Sequence, residues 1–145
     1  LKEKRNIGIK RNIFSSFIHQ KSSKYNNGQR ILIVDDDLDI VTTLKKVLEE
    51  EGYTVNAFNN PVKALDEYRK DRYNLIILDI KMPQMNGFEL YYEIRNIDNK
   101  VNVCFLTAGE INLSNDNEII SKNLFLRKPI GNDVLLKTIE NINKS

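Results

Sequence analysis

The chain has 145 residues, 41% hydrophobic and 29% charged, with a formal net charge of +2 and a single cysteine, Cys104. That length suits one domain burying roughly two thirds of its unfolded surface, with the composition of an ordinary soluble globular protein. One cysteine excludes an intrachain disulfide framework and a cysteine-based metal site and fits a reducing cytoplasm; no apolar run approaches transmembrane length, and the first residues lack a secretory signal's apolar core.

The basic balance belongs to one end. Residues 1–29 hold Lys2, Lys4, Arg5, Lys10, Arg11, Lys21 and Lys24 against the single acid Glu3, a charge of +6 that leaves −4 for the remainder. Residues 1–28 therefore read as a basic flexible tail, closed by Asn26, Asn27 and Gly28, and residues 29–145 as the folded domain. Ile9, Ile13, Phe14, Phe17 and Ile18 recur near a helical period between basic residues. Three readings of the tail stay open: a disordered extension, an amphipathic helix against a membrane or a partner, or a nucleic-acid contact. His19 has no acidic or metal-ligand neighbours and reads as an exposed tail residue.

Ile31–Val34 is a continuous apolar run ending in Asp35, Asp36 and Asp37. Such a run suits a strand buried on both faces of a parallel sheet. Ile40, Val41, Leu44, Val47 and Leu48 then recur at helical spacing over 38–51, with Gly52 as the stop and Asp37 and Asp39 as cap and first-turn acids. Capping is the plainer explanation of this acidic cluster, but it needs only one or two of its members. Residues 53–58 predict a second strand, and Asn60-Pro61 opens a second helix whose core side is Ala64, Leu65 and Tyr68.

The third strand repeats the first. Leu75, Ile76, Ile77 and Leu78 run into Asp79, then into turn residues as far as Gly87. Phe88, Leu90, Tyr91 and Ile94 are the apolar contributors of the next helix. Val101, Val103, Cys104, Phe105 and Leu106 form a fourth strand ending in Thr107, with Cys104 as a small buried hydrophobe. From 108 to 123 only a short helix is supported, Ile111, Leu113, Ile119 and Ile120 being set among polar residues. Residues 124–127 predict a fifth strand ending in Lys128-Pro129, and Val134, Leu135, Leu136, Ile139 and Ile142 define a last amphipathic helix. Five strands alternating with five helices point to a doubly wound parallel α/β sheet.

In such a sheet the strand ends share one edge, where ligands bind. That edge carries Asp35 and Asp36, then Asp79, Thr107 and Lys128. Two carboxylates 4 Å apart repel by about 4 kcal/mol at an effective dielectric near 20, so a cation must offset them. Oxygen ligands with no cysteine or histidine cluster suit Mg²⁺ better than a calcium cage. A carboxylate beside a hard cation, a lysine and a hydroxyl is equipped for phosphoryl transfer, with Asp79 as nucleophile and Thr107 and Lys128 on the phosphoryl oxygens. Singly, Thr107 could equally be an ordinary strand-end polar residue and Lys128 a surface lysine. Their joint order on four strand ends favours chemistry.

ILIVDDD, LIILDIKMPQMNG, FLTA and LRKPI resemble the motifs of the response-regulator receiver domain, of the stand-alone chemotaxis-regulator type, over about residues 29–145. The resemblance implies a flavodoxin-like fold of strand order 2-1-3-4-5, with Asp79 phosphorylated from the phosphohistidine of a sensor histidine kinase. It also implies Mg²⁺ on Asp36 and Asp79, with Asp35 acting mainly through water and Lys81 lending its backbone carbonyl. Thr107 and Lys128 would hold the phosphoryl group, the Lys128-Pro129 bond would be cis, and Phe125 would move inward as Thr107 shifts. The output face would be the fourth helix, fifth strand and fifth helix. Two features depart from the pattern or modify it. The fourth helix is unusually polar and lacks the family's usual alanine and glycine before the fifth strand, and Lys81 and Gly109 stand where the family lines the approach of water.

The expected function is a stand-alone, cytoplasmic response regulator of a two-component system that signals through a downstream protein, with no direct nucleic-acid contact by the domain and no enzyme activity beyond its own phosphorylation and dephosphorylation. The alternative is a phosphorelay intermediate that passes its phosphoryl group to a histidine phosphotransfer protein. An aspartate-nucleophile phosphohydrolase would want a second acid two residues after Asp79, where Lys81 stands. A nucleotide-binding module would want a glycine-rich loop after the first strand, which is missing. A degenerate receiver serving as a scaffold would not need the full set of side chains present.

Overall fold

The structure, a computed structural model, describes residues 28–109 and 117–144. The readings of residues 1–27, and those of Ile111 and Leu113, lie outside the described residues. The elements are β1 (Arg30–Val34), α1 (Leu38–Glu50), β2 (Thr54–Phe58), α2 (Pro61–Glu67), β3 (Leu75–Asp79), α3 (Gly87–Ile97), β4 (Asn102–Thr107), α4 (Asn117–Lys122), β5 (Leu124–Arg127) and α5 (Asn132–Lys144). All strand pairs are parallel, in the order 2-1-3-4-5. This is the flavodoxin-like architecture expected from the sequence.

The apolar runs are strands because both of their faces are covered. Ile31, Ile33, Leu75, Ile77, Cys104 and Leu106 pack against α1 and α5, while Leu32, Val34, Ile76, Leu78, Val103 and Phe105 pack against α2, α3 and α4. Every residue of β3 is buried, which fixes its register, since a slip of one would exchange its two faces. The caps follow the sequence: Asp37 accepts from the amides of Asp39 and Ile40, Asn60 from Lys63, and Asn86 from Glu89. One core assignment is corrected. Val134 is 55% exposed, whereas Leu135 and Ile139 carry the buried face of α5 and Leu136 and Ile142 flank it.

The end of the sheet remote from the strand-end aspartates is tied together by Asp98, a residue the sequence reading passed over. It follows α3, is 3% exposed, and accepts four hydrogen bonds: from Tyr68 Oη (3.0 Å), and from the amides of Asp71 (3.2 Å), Lys100 (3.1 Å) and Val101 (3.3 Å). Burial alone would raise its pKa. The Lys100 and Asp71 amides, the Tyr68 hydroxyl and the Val101 amide outweigh that and hold it below the ordinary carboxylate value. A helix C-terminus disfavours a negative charge, so an acid there needs such donors. Asp98→Asn turns an NH₂ towards one of the two donor pairs, and we expect a loss of about 2 kcal/mol in urea unfolding. A loss within experimental error of zero would show that water replaces the network.

Candidate functional site

Neighbouring parallel strands carry the acids to one edge. β1 and β3 are paired from Ile31 against Leu75 to Val34 against Leu78, so Asp35 and Asp79 follow side by side. Ligand oxygens of Asp35, Asp36 and Asp79 lie within 4.8 Å of one another. Asp35 is fully buried, Asp79 is 4% exposed and Asp36 faces solvent. Asp37 is the α1 cap and its amide donates to Asp35 Oδ1 at 2.9 Å, so capping accounts for Asp37 and leaves Asp35 and Asp36 free of that duty.

Lys128 reaches the pair from the end of β5. Its Nζ lies 2.8 Å from Asp35 Oδ2 and 3.2 Å from Asp79 Oδ1. The position is set by the backbone, the Lys128 amide donating to the Thr107 carbonyl at 2.8 Å, and the Lys128-Pro129 bond is cis. Burial lowers the affinity of the ammonium for its proton, but the Asp35 and Asp79 contacts more than reverse this and the net shift is upward.

One cation does not neutralise the acids. Asp79 is pushed up to about 6, first by burial and then by the charge of Asp35, against the lowering effect of Lys128. Asp35 Oδ2 has no directed hydrogen bond, because the ammonium beside it supplies charge without alignment. A buried carboxylate oxygen so placed, within an all-oxygen donor set, fits a small hard cation.

The folded protein holds the Asp79 proton more tightly than the unfolded chain, so stability falls as pH rises from about 4 to about 6 and stays reduced above that. Asp79→Asn removes the deficit. In metal-free solution near pH 7.5 it should gain about 1–2 kcal/mol, allowing for solvent screening, and the gain should shrink towards pH 4.5. A variant less stable than the parent at the higher pH would contradict this.

The other residues singled out in the sequence surround the same edge. Thr107 ends β4, but its hydroxyl is turned into its own loop, donating to the Gly109 carbonyl at 2.9 Å and accepting from the Gly109 amide at 3.3 Å. Phe125 is half-buried and stacked on Phe105, with ring centroids 5.0 Å apart. Lys81 has an exposed side chain. Gly87 is a residue whose part in the site the sequence reading missed. Its amide donates to the Ile80 carbonyl at 2.8 Å, closing the loop after Asp79, and a Cβ there would overlap the Asp79 carbonyl oxygen.

A parallel 2-1-3-4-5 sheet with three acids and a lysine at one edge defines a class that comparison makes specific. The chain belongs to the response regulator receiver domain family, whose pattern matches residues 31–140. It is 32% identical over 113 residues to sporulation initiation phosphotransferase F of Bacillus subtilis, covering 77% of this chain and 91% of that protein. It is 42% identical over 79 residues to the transcriptional regulatory protein CpxR homolog of Haemophilus influenzae, covering 54% of this chain but only 34% of that relative. Among solved structures it resembles response regulator TrrA of Thermotoga maritima in complex with Mg(2+)-BeF, with a TM-score of 0.67 and 32% identity over 79% of this chain and 98% of that one. TrrA is also solved in complex with histidine kinase ThkA. Among the described residues, no helix is long and apolar enough to cross a membrane.

Proposed function

We propose that Asp79 accepts a phosphoryl group from the phosphohistidine of a sensor histidine kinase and that the phosphorylated domain signals through protein contacts in the cytoplasm. The observation that carries this reading is the pairing of one partly buried Lys128 with both Asp35 and Asp79, a site with more acid than cation at the end of the central strand. The kinase-bound TrrA structure and the Mg(2+)-BeF complex support it by analogy.

An Asp79 carboxylate oxygen attacks phosphorus, the P–N bond breaks, its electron pair leaves on the imidazole, and an acyl phosphate remains. Above about pH 6 most of Asp79 is ionised and able to attack. Asp36 and Asp79 with the Lys81 carbonyl, and Asp35 mainly through water, would hold Mg²⁺, which would supply charge neutralisation on the transferring oxygens. Lys128 pairs with a phosphoryl oxygen as a point charge. Thr107 gives up its Gly109 contacts to hydrogen-bond another, and Phe125 follows the space it leaves. The step adds about −1.5 to −2 charges at one sheet edge, enough to bias a two-state loop. The domain consumes its own modification and turns over no separate substrate, so it is a phosphoacceptor rather than an enzyme in the ordinary sense.

The name of the Bacillus relative, a phosphotransferase, favours a second reading in which the group passes on to a histidine phosphotransfer protein. Phosphoramidate, whose P–N bond is that of phosphohistidine, separates these readings. Intact mass should show one Mg²⁺-dependent phosphoryl adduct, absent from Asp79→Asn. Its chase into an added histidine phosphotransfer protein would select the relay, and its loss to water alone would select the output reading. An adduct of the same yield in Asp79→Asn would refute both.

A further inference from the structure

Away from the phosphoacceptor edge, a cavity of about 380 Å³ opens between α3 and α4, within the usual size range of small-molecule sites. Its floor and rim include Tyr91, Tyr92, Arg95, Ile119, Lys122 and Asn123. Donors predominate there. The Arg95 guanidinium lies over the Tyr91 ring, 4.9 Å from its centroid, and its Nη1 donates to the Asp98 carbonyl at 3.3 Å, which uses one of its five N–H groups. Asn123 Nδ2 donates to Tyr91 Oη at 3.2 Å, and the tyrosine's own proton has no acceptor among the described residues. Burial raises the Tyr91 pKa, but Arg95 and Asn123 outweigh it and the phenol is a stronger acid, hence a stronger donor, than an ordinary tyrosine. Glu118, the one carboxylate at the rim among the described residues, is engaged by Lys122 at 2.7 Å, so Arg95, Lys122 and Glu118 together leave one positive charge. Beside these donors stand an exposed aromatic face, Tyr92, and a buried aliphatic one, Ile119.

We infer that this cavity binds a small organic carboxylate with an aromatic or aliphatic body, its carboxylate received by Arg95 and the Tyr91 hydroxyl and its body against Tyr92 and Ile119. A carboxylate matches the planar Arg fork and can accept the Tyr91 hydroxyl proton. The inorganic alternative, a phosphate, would engage the donors but leave the apolar wall unused. The position also matters to the domain: Tyr91 stands 5.6 Å from Phe105, on which Phe125 stacks, so the cavity wall is continuous with the aromatic of the proposed switch.

The test is an amide and side-chain NMR titration of the full chain with benzoate, using inorganic phosphate as the second arm. Saturable benzoate shifts at Tyr91, Arg95 and Asn123 are expected, weakened about tenfold or more in Arg95→Met and strengthened several-fold in Glu118→Gln, which frees Lys122. Arg95→Met should keep its Mg²⁺-dependent phosphorylation, so failure here is separable from failure of the receiver chemistry. If Arg95→Met is poorly folded, Lys122→Met on the exposed face of α4 serves instead, with a smaller loss. Non-saturable shifts, shifts unchanged by these variants, or tighter binding of phosphate at the same residues would overturn the assignment.

Discussion

Gly87→Ala should lower stability by about 3 kcal/mol or more and slow phosphorylation of Asp79 by a factor on the order of a hundred. The reason is spatial. A Cβ on Gly87 would overlap the carbonyl oxygen of Asp79 and stand 2.9 Å from Ile80 Cα and 3.0 Å from Asp79 C. All three atoms are backbone, so no side chain can rotate away. Either α3 retreats from the sheet, at the expense of Leu90 and Ile94 in the core, or the end of β3 shifts and carries Asp79 off its contact with Lys128. Urea unfolding and the rate of adduct formation from phosphoramidate measure the two effects. A variant with parental stability and rate would show that the loop yields freely.

Lys128→Met should cost about 3–5 kcal/mol in metal-free solution near neutral pH, because it leaves two buried carboxylates without their cation. Methionine keeps much of the volume and removes only the charge. Three conditions should restore stability: addition of Mg²⁺, which a site with excess acid binds more favourably; a fall in pH, since without the lowering effect of Lys128 the Asp79 carboxyl takes up its proton at a higher pH than in the parent; and the second substitution Asp79→Asn. A loss that persists unchanged under all three would mean that Lys128 acts through packing.

Much of this site was legible in the sequence, for a definite reason. A strand buried on both faces is a run of apolar residues, and its end is marked by the first group that cannot be buried without a partner. Asp35, Asp79 and Thr107 each end such a run, Lys128 follows the partly exposed edge strand β5, and parallel pairing brings them to one edge. What escaped depends on approach between segments distant in the chain. Gly87 reads as one more turn residue until α3 is packed on β3. Asp98 reads as part of a polar turn, although an acid at a helix C-terminus is itself a hint that donors are waiting. Val134 adjoins the apolar stripe of α5, yet one residue along a helix is a rotation of about 100°, which turns it away from the buried face of Leu135 and Ile139. The donors around Tyr91 come from α3 and from the residue after α4, and no single stretch announces them.

The central claim is that Asp79 is the residue that carries the phosphoryl group, and borohydride trapping tests it most directly. The protein is treated with phosphoramidate and Mg²⁺, reduced so that an acyl phosphate becomes the corresponding alcohol, digested and sequenced by mass spectrometry. Homoserine at position 79, dependent on both donor and Mg²⁺, is the result expected. Homoserine at position 35 or 36 with aspartate intact at position 79 would contradict the assignment of the nucleophile.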